Sequence, residues 1–301
     1  LTVTLAIGVS RMARRRAIIR NLPAVETLGS TTVICSDKTG TLTQNQMTVQ
    51  EIHTLDGAYI INGVGYKPEG MIEPKDSTVS GYEKDAGFLE TLKAGLLCND
   101  SQLIEKEGTW SINGDPTEGA LIVAARKAFL SPDLASYPKR LDLIPFDSQH
   151  QFMATLHSDG SIYIKGAAEV LLDRCNGALD ASGNLVPCSS EKFRVAMEQM
   201  ASQGLRVLAV ARLNIPGTRS ISFEDISDLT LLGLQGMMDP PRLEVVDAIK
   251  ACQRAGIVVK MITGDHALTA AAIGKQIGLC QEDCSQVLSG DELSTLSDHE
   301  L

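Results

Sequence analysis

Two short apolar runs, far apart in the chain, each stop on a polar turn that contains glycine. "TTVIC" (31–35) leads into Ser36, Asp37, Lys38, Thr39, Gly40 and Thr41, and "IVVKMI" (257–262) leads into Thr263, Gly264 and Asp265. The second run lies between "PRLEVVDAIKACQRAG", which opens on proline and closes on glycine as helices do, and the helical "HALTAAAIGKQIGL". A further continuous apolar run, "LTLLGLQGM" from Leu229, reads as a strand buried on both faces. The end of the chain therefore reads strand–helix–strand–helix, the pattern of a parallel sheet that binds ligands beyond the carboxyl ends of its strands. If the first and last regions share one sheet, Asp37 and Asp265 meet at neighbouring strand ends. Everything between them is then an insertion into one interrupted α/β domain.

The intervening region, from Val49 to about Ile226, has a different texture. "QFMATLHSDGSIYIKGA" reads as two strands joined at Ser158, Asp159 and Gly160, a tight antiparallel reversal. Helices are predicted over "DAGFLETLKAGLL", "TEGALIVAARKAF" and "SSEKFRVAMEQMASQG". In the last of these Phe193, Met197, Met200 and Ala201 recur at helical spacing as core residues, and Gly204 supplies the stop. The insertion is thus expected to be α+β, with mixed antiparallel strands and helices.

The chain of 301 residues is long enough for two cores. Its formal charge of −10 argues against a nucleic-acid binder, whose affinity rests on neutralising phosphates. The basic residues Arg11, Arg14, Arg15, Arg16 and Arg20 cluster after "LTVTLAIGV", too short by itself for the ~20 residues of a membrane helix. That start reads either as a buried element or as the cytoplasmic exit of a membrane helix. The seven scattered cysteines, with Cys280 and Cys284 read as structural, suggest a reduced chain. Asn99-Asp100-Ser101 matches a glycosylation pattern that nothing else supports. No P-loop string is present, Pro68 stands where a dinucleotide fingerprint begun at Gly63 needs glycine, and the five histidines, His266 among them, are dispersed.

A carboxylate can act as a nucleophile toward a phosphoryl group, given cations and donors to offset the anionic oxygens. Asp37 has Lys38, the hydroxyls of Thr39 and Thr41 and the amide of Gly40 close by in sequence. The string "DKTGTLT" resembles the phosphorylation signature of the P-type ATPases, ion pumps with a haloacid-dehalogenase-like, Rossmann-type catalytic domain. "GDPTEGAL", "KGAAEVLL", "MMDPPR" and "MITGDHALTA" follow in the order such pumps present them, in wording similar to calcium-pump-like cation transporters.

The resemblance implies ATP and Mg²⁺ as cofactors and a cation as cargo, on the cytoplasmic face of a membrane. Asp37 would accept the γ-phosphoryl group, Lys38 would neutralise charge, and Asp37 and Thr39 would bind the metal. Thr263, Gly264 and Asp265 would hold the γ-phosphate from the opposite strand end. In the insertion, which resembles the nucleotide-binding domain, Phe146 would stack on adenine beside Met153. Lys165 and Gly166 would lie behind the base, Glu118 would bond its amino group, and Arg206 would reach the phosphates. Asp239 and Arg242 would lie at the hinge near the nucleotide. Read without the resemblance, Phe146 after Pro145 is a core residue, Lys165 a solvated charge, and "DPPR" a proline turn opening a helix.

The implied organisation is the end of a membrane helix and a basic stalk over 1–20, then the phosphorylation domain over 21–48. The nucleotide-binding domain follows over 49–228, and the second, truncated part of the phosphorylation domain over 229–301. Ala168 replaces the proline of the "KGAPE" form, and Gln151 stands where many calcium-pump relatives have lysine. The sequence holds no G-D-G-x-N-D string and no dephosphorylation "TGE" motif, as expected of a piece of a longer pump. A soluble phosphatase of the same catalytic fold is the alternative, but Thr39 stands where it would carry a second aspartate. A non-catalytic nucleotide-binding module is the other.

Overall fold

The computed structural model describes residues 2–15, 17–21, 23–77, 81–131, 133–187, 190–264, 267–280 and 287–295. Leu229–Met238 is the organising strand of a ten-stranded sheet. On one side of it lie Thr48–His53, Ala58–Ile61 and Ile72–Pro74. On the other lie Arg206–Asn214, Ser161–Ala167, Phe152–His157 and Arg140–Asp147. All these neighbours are antiparallel. Two partners share one edge of the central strand: Leu234–Met238 pair with Thr48–His53, while Leu229–Leu231 pair in parallel with Cys175–Ala178. Leu185–Pro187 completes the sheet against Cys175–Leu179. The hairpin Gln102–Lys106 with Thr109–Asn113 stands apart.

Helices cover both faces of this sheet. Ala86–Leu97 and Pro116–Lys127 close one face, burying Phe88, Leu92, Leu121 and Ala125 against Val49, Ile52 and Met237. Asp85 caps the first of them by accepting the Phe88 amide, and Asp115 caps the second by accepting those of Thr117 and Glu118. Ala168–Leu172 and Glu191–Ser202 pack on the other face, with Phe193 and Met200 among Phe152, Ile164, Ala209 and Leu234. Leu243–Arg254 and Ala267–Gln276 contribute Val245, Ile249 and Ile273 to the same core. The predicted hairpin at 158–160 and the helix stop at Gly204 (φ 82°) are present.

Three expectations change. Leu229–Met238 is buried at every position but Thr230, as its apolar run implied, but it belongs to the largely antiparallel inserted sheet rather than to a parallel sheet with Asp37. Val33–Asp37 and Val258–Ile262 do pair in parallel, yet among the described residues they form a sheet of only two strands. One face of it is covered, and the other exposes Val33, Cys35, Asp37, Val258, Lys260 and Ile262, because no further layer packs there among the described residues. Finally, Cys280 is disulfide-bonded, although Cys35, Cys98 and Cys252 are free thiols.

The start of the chain forms the helix Thr2–Arg14, which leaves Val3 and Ile7 exposed. Among the described residues no helix is long and apolar enough to cross a membrane.

Candidate nucleotide and phosphoryl-acceptor site

Parallel pairing sets Asp37 directly beside Ile262, so Thr263 and Gly264 emerge next to Lys38 and Thr39 at one end of the two-stranded sheet. Asp265 and His266 lie outside the described residues. Beyond Asp37 the chain winds tightly: Thr39 is extended (φ −74°, ψ 123°), Gly40 takes the left-handed conformation (φ 73°), and the Thr43 amide closes back on the Lys38 carbonyl at 3.0 Å. Asp37, Thr39 and Gly40 are exposed, whereas Lys38, Leu42 and Thr43 are buried.

Asp239 and Arg242 hold this loop from behind. The buried Asp239 carboxylate accepts the Thr43 hydroxyl through Oδ2 and the Gln46 amide, at 3.0 Å, through Oδ1. The Arg242 guanidinium donates to the Gly40 carbonyl (3.0 Å), the Arg242 amide to the Leu42 carbonyl (2.9 Å), and the Gln44 amide to the Pro240 carbonyl (3.0 Å). "DPPR" thus does more than open a helix: it staples the loop after Asp37 to the end of the central strand. Thr43 and Gln46, its partners, escaped sequence reasoning because the bonds span 196 and 193 residues.

The second constellation lies on one face of the inserted sheet. Met153 pairs directly with Lys165, so both side chains point to the face covered by Ala86–Leu97. Phe146 lies on the neighbouring strand Arg140–Asp147, inside the register shift between Ile144 and Asp147. The two bland readings are both reversed: Phe146 is 64% exposed, and Lys165 is 7% exposed. Pro145 and the register shift between Ile144 and Asp147 interrupt the regular strand and leave the ring outside the core.

Lys165 is held rather than solvated. Its Nζ donates to Glu118 Oε1 at 2.6 Å and to the Cys98 carbonyl. Glu118 sits in the first turn of Pro116–Lys127, and its Oε2 accepts the Asp100 amide (3.0 Å) and the Ser101 hydroxyl (3.1 Å). Cys98, Asp100 and Ser101 are participants the sequence did not flag. The available signal was the short polar run closing the helix Ala86–Leu97. Asn99, matched only to a glycosylation pattern, donates its side-chain amide to the Gly95 and Glu118 carbonyls.

Gly166 follows Lys165 where a Cβ would stand 2.5 Å from the Gln151 carbonyl oxygen and 2.6 Å from Phe152 Cβ, so glycine is required by close approach. Gln151 itself closes the turn between Arg140–Asp147 and Phe152–His157 in a left-handed conformation (φ 59°). Arg206 is exposed and pairs with Met237, two residues before Asp239. Register places it on the Lys165 face, at the end of the sheet nearest the loop after Asp37.

Comparison with known proteins identifies the family. A family model described as P-type ATPase, cytoplasmic domain N, matches residues 87–244. The cation-transporting ATPase pma1 of Synechocystis is 50% identical over 314 residues, covering 100% of this chain and 34% of the relative. The calcium-transporting ATPase of Bacillus subtilis is 40% identical over 310 residues, covering 100% of this chain and 34% of the relative. Mouse calcium-transporting ATPase type 2C member 2 is 39% identical over 304 residues, covering 97% and 30%. The chain therefore spans about a third of the length of the curated relatives it matches. It belongs to the P-type ATPases and contains their cytoplasmic domain N.

Proposed function

We propose that the chain is the nucleotide-binding and phosphoryl-accepting region of an ATP-driven cation pump. The observation that carries the reading is the pairing of Asp37 with Ile262. It sets the carboxylate beside Thr263–Gly264 at one strand end, while the inserted sheet runs back to the same loop through Asp239. Residues 21–48 and 239–301 are assigned to a haloacid-dehalogenase-like phosphorylation domain and 49–238 to the nucleotide-binding insertion, the boundary expected at 229 moving past the central strand. Strand Leu229–Met238 completes the insertion's sheet, and residues 1–20 are the end of a membrane helix and a basic stalk.

In this reading adenine stacks on the exposed Phe146 over Met153, with Lys165, Gly166 and Glu118 at the back of the slot. An apolar slot with few polar groups is the usual form of such a pocket. Arg206 lies on the way to the phosphates. Asp37 Oδ attacks the γ-phosphorus as the bond to the bridging oxygen of ADP breaks, leaving an acyl phosphate and ADP. Lys38 and the donors around Gly40 offset the charge on the transferring oxygens.

The residues present fit Mg²⁺ in type. The exposed Asp37 carboxylate and the Thr39 carbonyl are oxygen donors at an open loop, and Mg²⁺ ordinarily takes one or two carboxylates, keeping water and substrate phosphates for its other positions. Bound there, the ion would neutralise phosphate charge.

The test is acid-stable label from γ-labelled ATP in the longer pump that carries this region. Label on the wild type and none on Asp37→Asn is expected. Equal labelling of both would remove Asp37 from the reaction.

A further inference from the structure

We infer that Ser101 is a positioning residue of the adenine subsite, holding the Glu118 carboxylate so that it accepts a 6-amino group and repels a 6-oxo group. The inference rests on the nucleotide-binding reading above and deepens it. An ionised carboxylate offers about four acceptor positions. Three on Glu118 are taken: Lys165 at Oε1, and the Asp100 amide and Ser101 hydroxyl at Oε2. The position left on Oε1 accepts a donor. The Asp100 amide is already spent on Oε2, and two of the three Lys165 protons go to Glu118 Oε1 and the Cys98 carbonyl.

The hydroxyl is itself fixed. The Ser101 amide donates to Asn99 Oδ1 at 2.9 Å, and Asn99 Nδ2 ties the segment to the Gly95 carbonyl (3.0 Å) and the Glu118 carbonyl (2.9 Å). The single Ser101 proton lies between the Asp115 carbonyl (3.2 Å) and Glu118 Oε2 (3.1 Å), and the charged acceptor is the stronger. Gly114, at φ +127°, makes room for it, since a Cβ there would stand 2.3 Å from Ser101 Oγ. Without the hydroxyl, Glu118 keeps Lys165 and one amide but can rotate, and water can bridge to a 6-oxo ring.

The experiment compares ATP with inosine triphosphate, which carries an oxo group at C6 and a proton on N1, by equilibrium binding to this chain. The wild type is expected to prefer ATP by at least ~10-fold, because a site built around one hydrogen-bonding pattern rejects its complement. Ser101→Ala should shrink that ratio roughly 3- to 10-fold, and Ser101→Thr should restore it. A purely structural role would weaken both nucleotides equally, so an unchanged ratio in Ser101→Ala overturns the inference. If the alanine variant does not fold, Ser101→Cys replaces it, keeping the volume with a weak donor, and is held to the same ratio. A wild type that binds neither nucleotide overturns the nucleotide reading and this inference with it. A wild type that binds both equally overturns the inference alone.

Discussion

The inserted sheet and the two-stranded sheet bearing Asp37 are built from similar apolar runs, yet they are buried very differently. Phe152, Ile164 and Leu234 of the insertion are 0% exposed, whereas Val33, Val258 and Ile262 of the small sheet are 44%, 53% and 58% exposed. The runs do not differ in hydropathy so much as in what lies over them. The insertion has a helical layer on each face, while the small sheet has one on a single face. Burial belongs to the layer arrangement and not to the strand, so the Asp37 strand end is left open while the face carrying Met153 and Lys165 sits on a closed core.

That contrast can be broken first in the cores. Phe152→Ala should cost about 3–5 kcal/mol in denaturant unfolding, as large-to-small changes at filled sites do, whereas Ile262→Ala should cost under about 1 kcal/mol. Equal costs would mean that the two sheets are packed alike. Next come the ion pairs within the insertion. Lys165→Met strands a largely buried Glu118 and should destabilise by about 3 kcal/mol, while Arg140→Met, at the exposed pair with Asp100 (2.7 Å), should stay within about 1 kcal/mol.

A third effect concerns the junction between the two regions. Asp239→Ala removes the acceptor for Thr43 and Gln46 and should cost about 1–3 kcal/mol. Hydrogen exchange at the Gln46 amide should accelerate more than at the amides of the central strand. Uniform acceleration across the sheet would show that the staple is not local.

A fourth effect is a pH dependence inside the insertion. Lys127, buried with its Nζ on the Asn62 and Gly63 carbonyls (2.8 and 3.0 Å), has its pKa lowered by burial to about 8. An unfolded lysine titrates near about 10.4, so between the two values the unfolded chain binds more protons and stability rises with pH. Relative to Lys127→Met, the wild type should therefore gain stability from about pH 8 to about pH 10 in thermal melts. A constant difference across that window would contradict the buried-charge account.

Local structure was legible wherever a local cause sets it. The reversal at Asp159-Gly160, the helix stop at Gly204 and the core face of Glu191–Ser202 all follow from neighbouring residues. The partner of Leu229–Met238 was not legible, because a run buried on both faces reads the same whether its neighbours are parallel or antiparallel. The exposure of Phe146 and the burial of Lys165 were reversed for a similar reason. A strand irregularity and a carboxylate from a distant helix decide them, and neither is visible in a window of sequence. Signature motifs marked which residues to examine. Only the fold shows that Asp239 and Arg242 serve the loop after Asp37, and that Ser101 serves Glu118.

The central claim is that one face of the insertion, carrying Phe146, Met153, Lys165 and Glu118, binds adenine nucleotide. Its most direct test is an equilibrium titration of this chain with a fluorescent ATP analogue, alongside Phe146→Ala and Lys165→Ala, with folding checked by circular dichroism. Saturable binding by the wild type and at least ~10-fold weaker binding in each folded variant, about 1.4 kcal/mol, is predicted. Affinity unchanged in both folded variants would contradict the site.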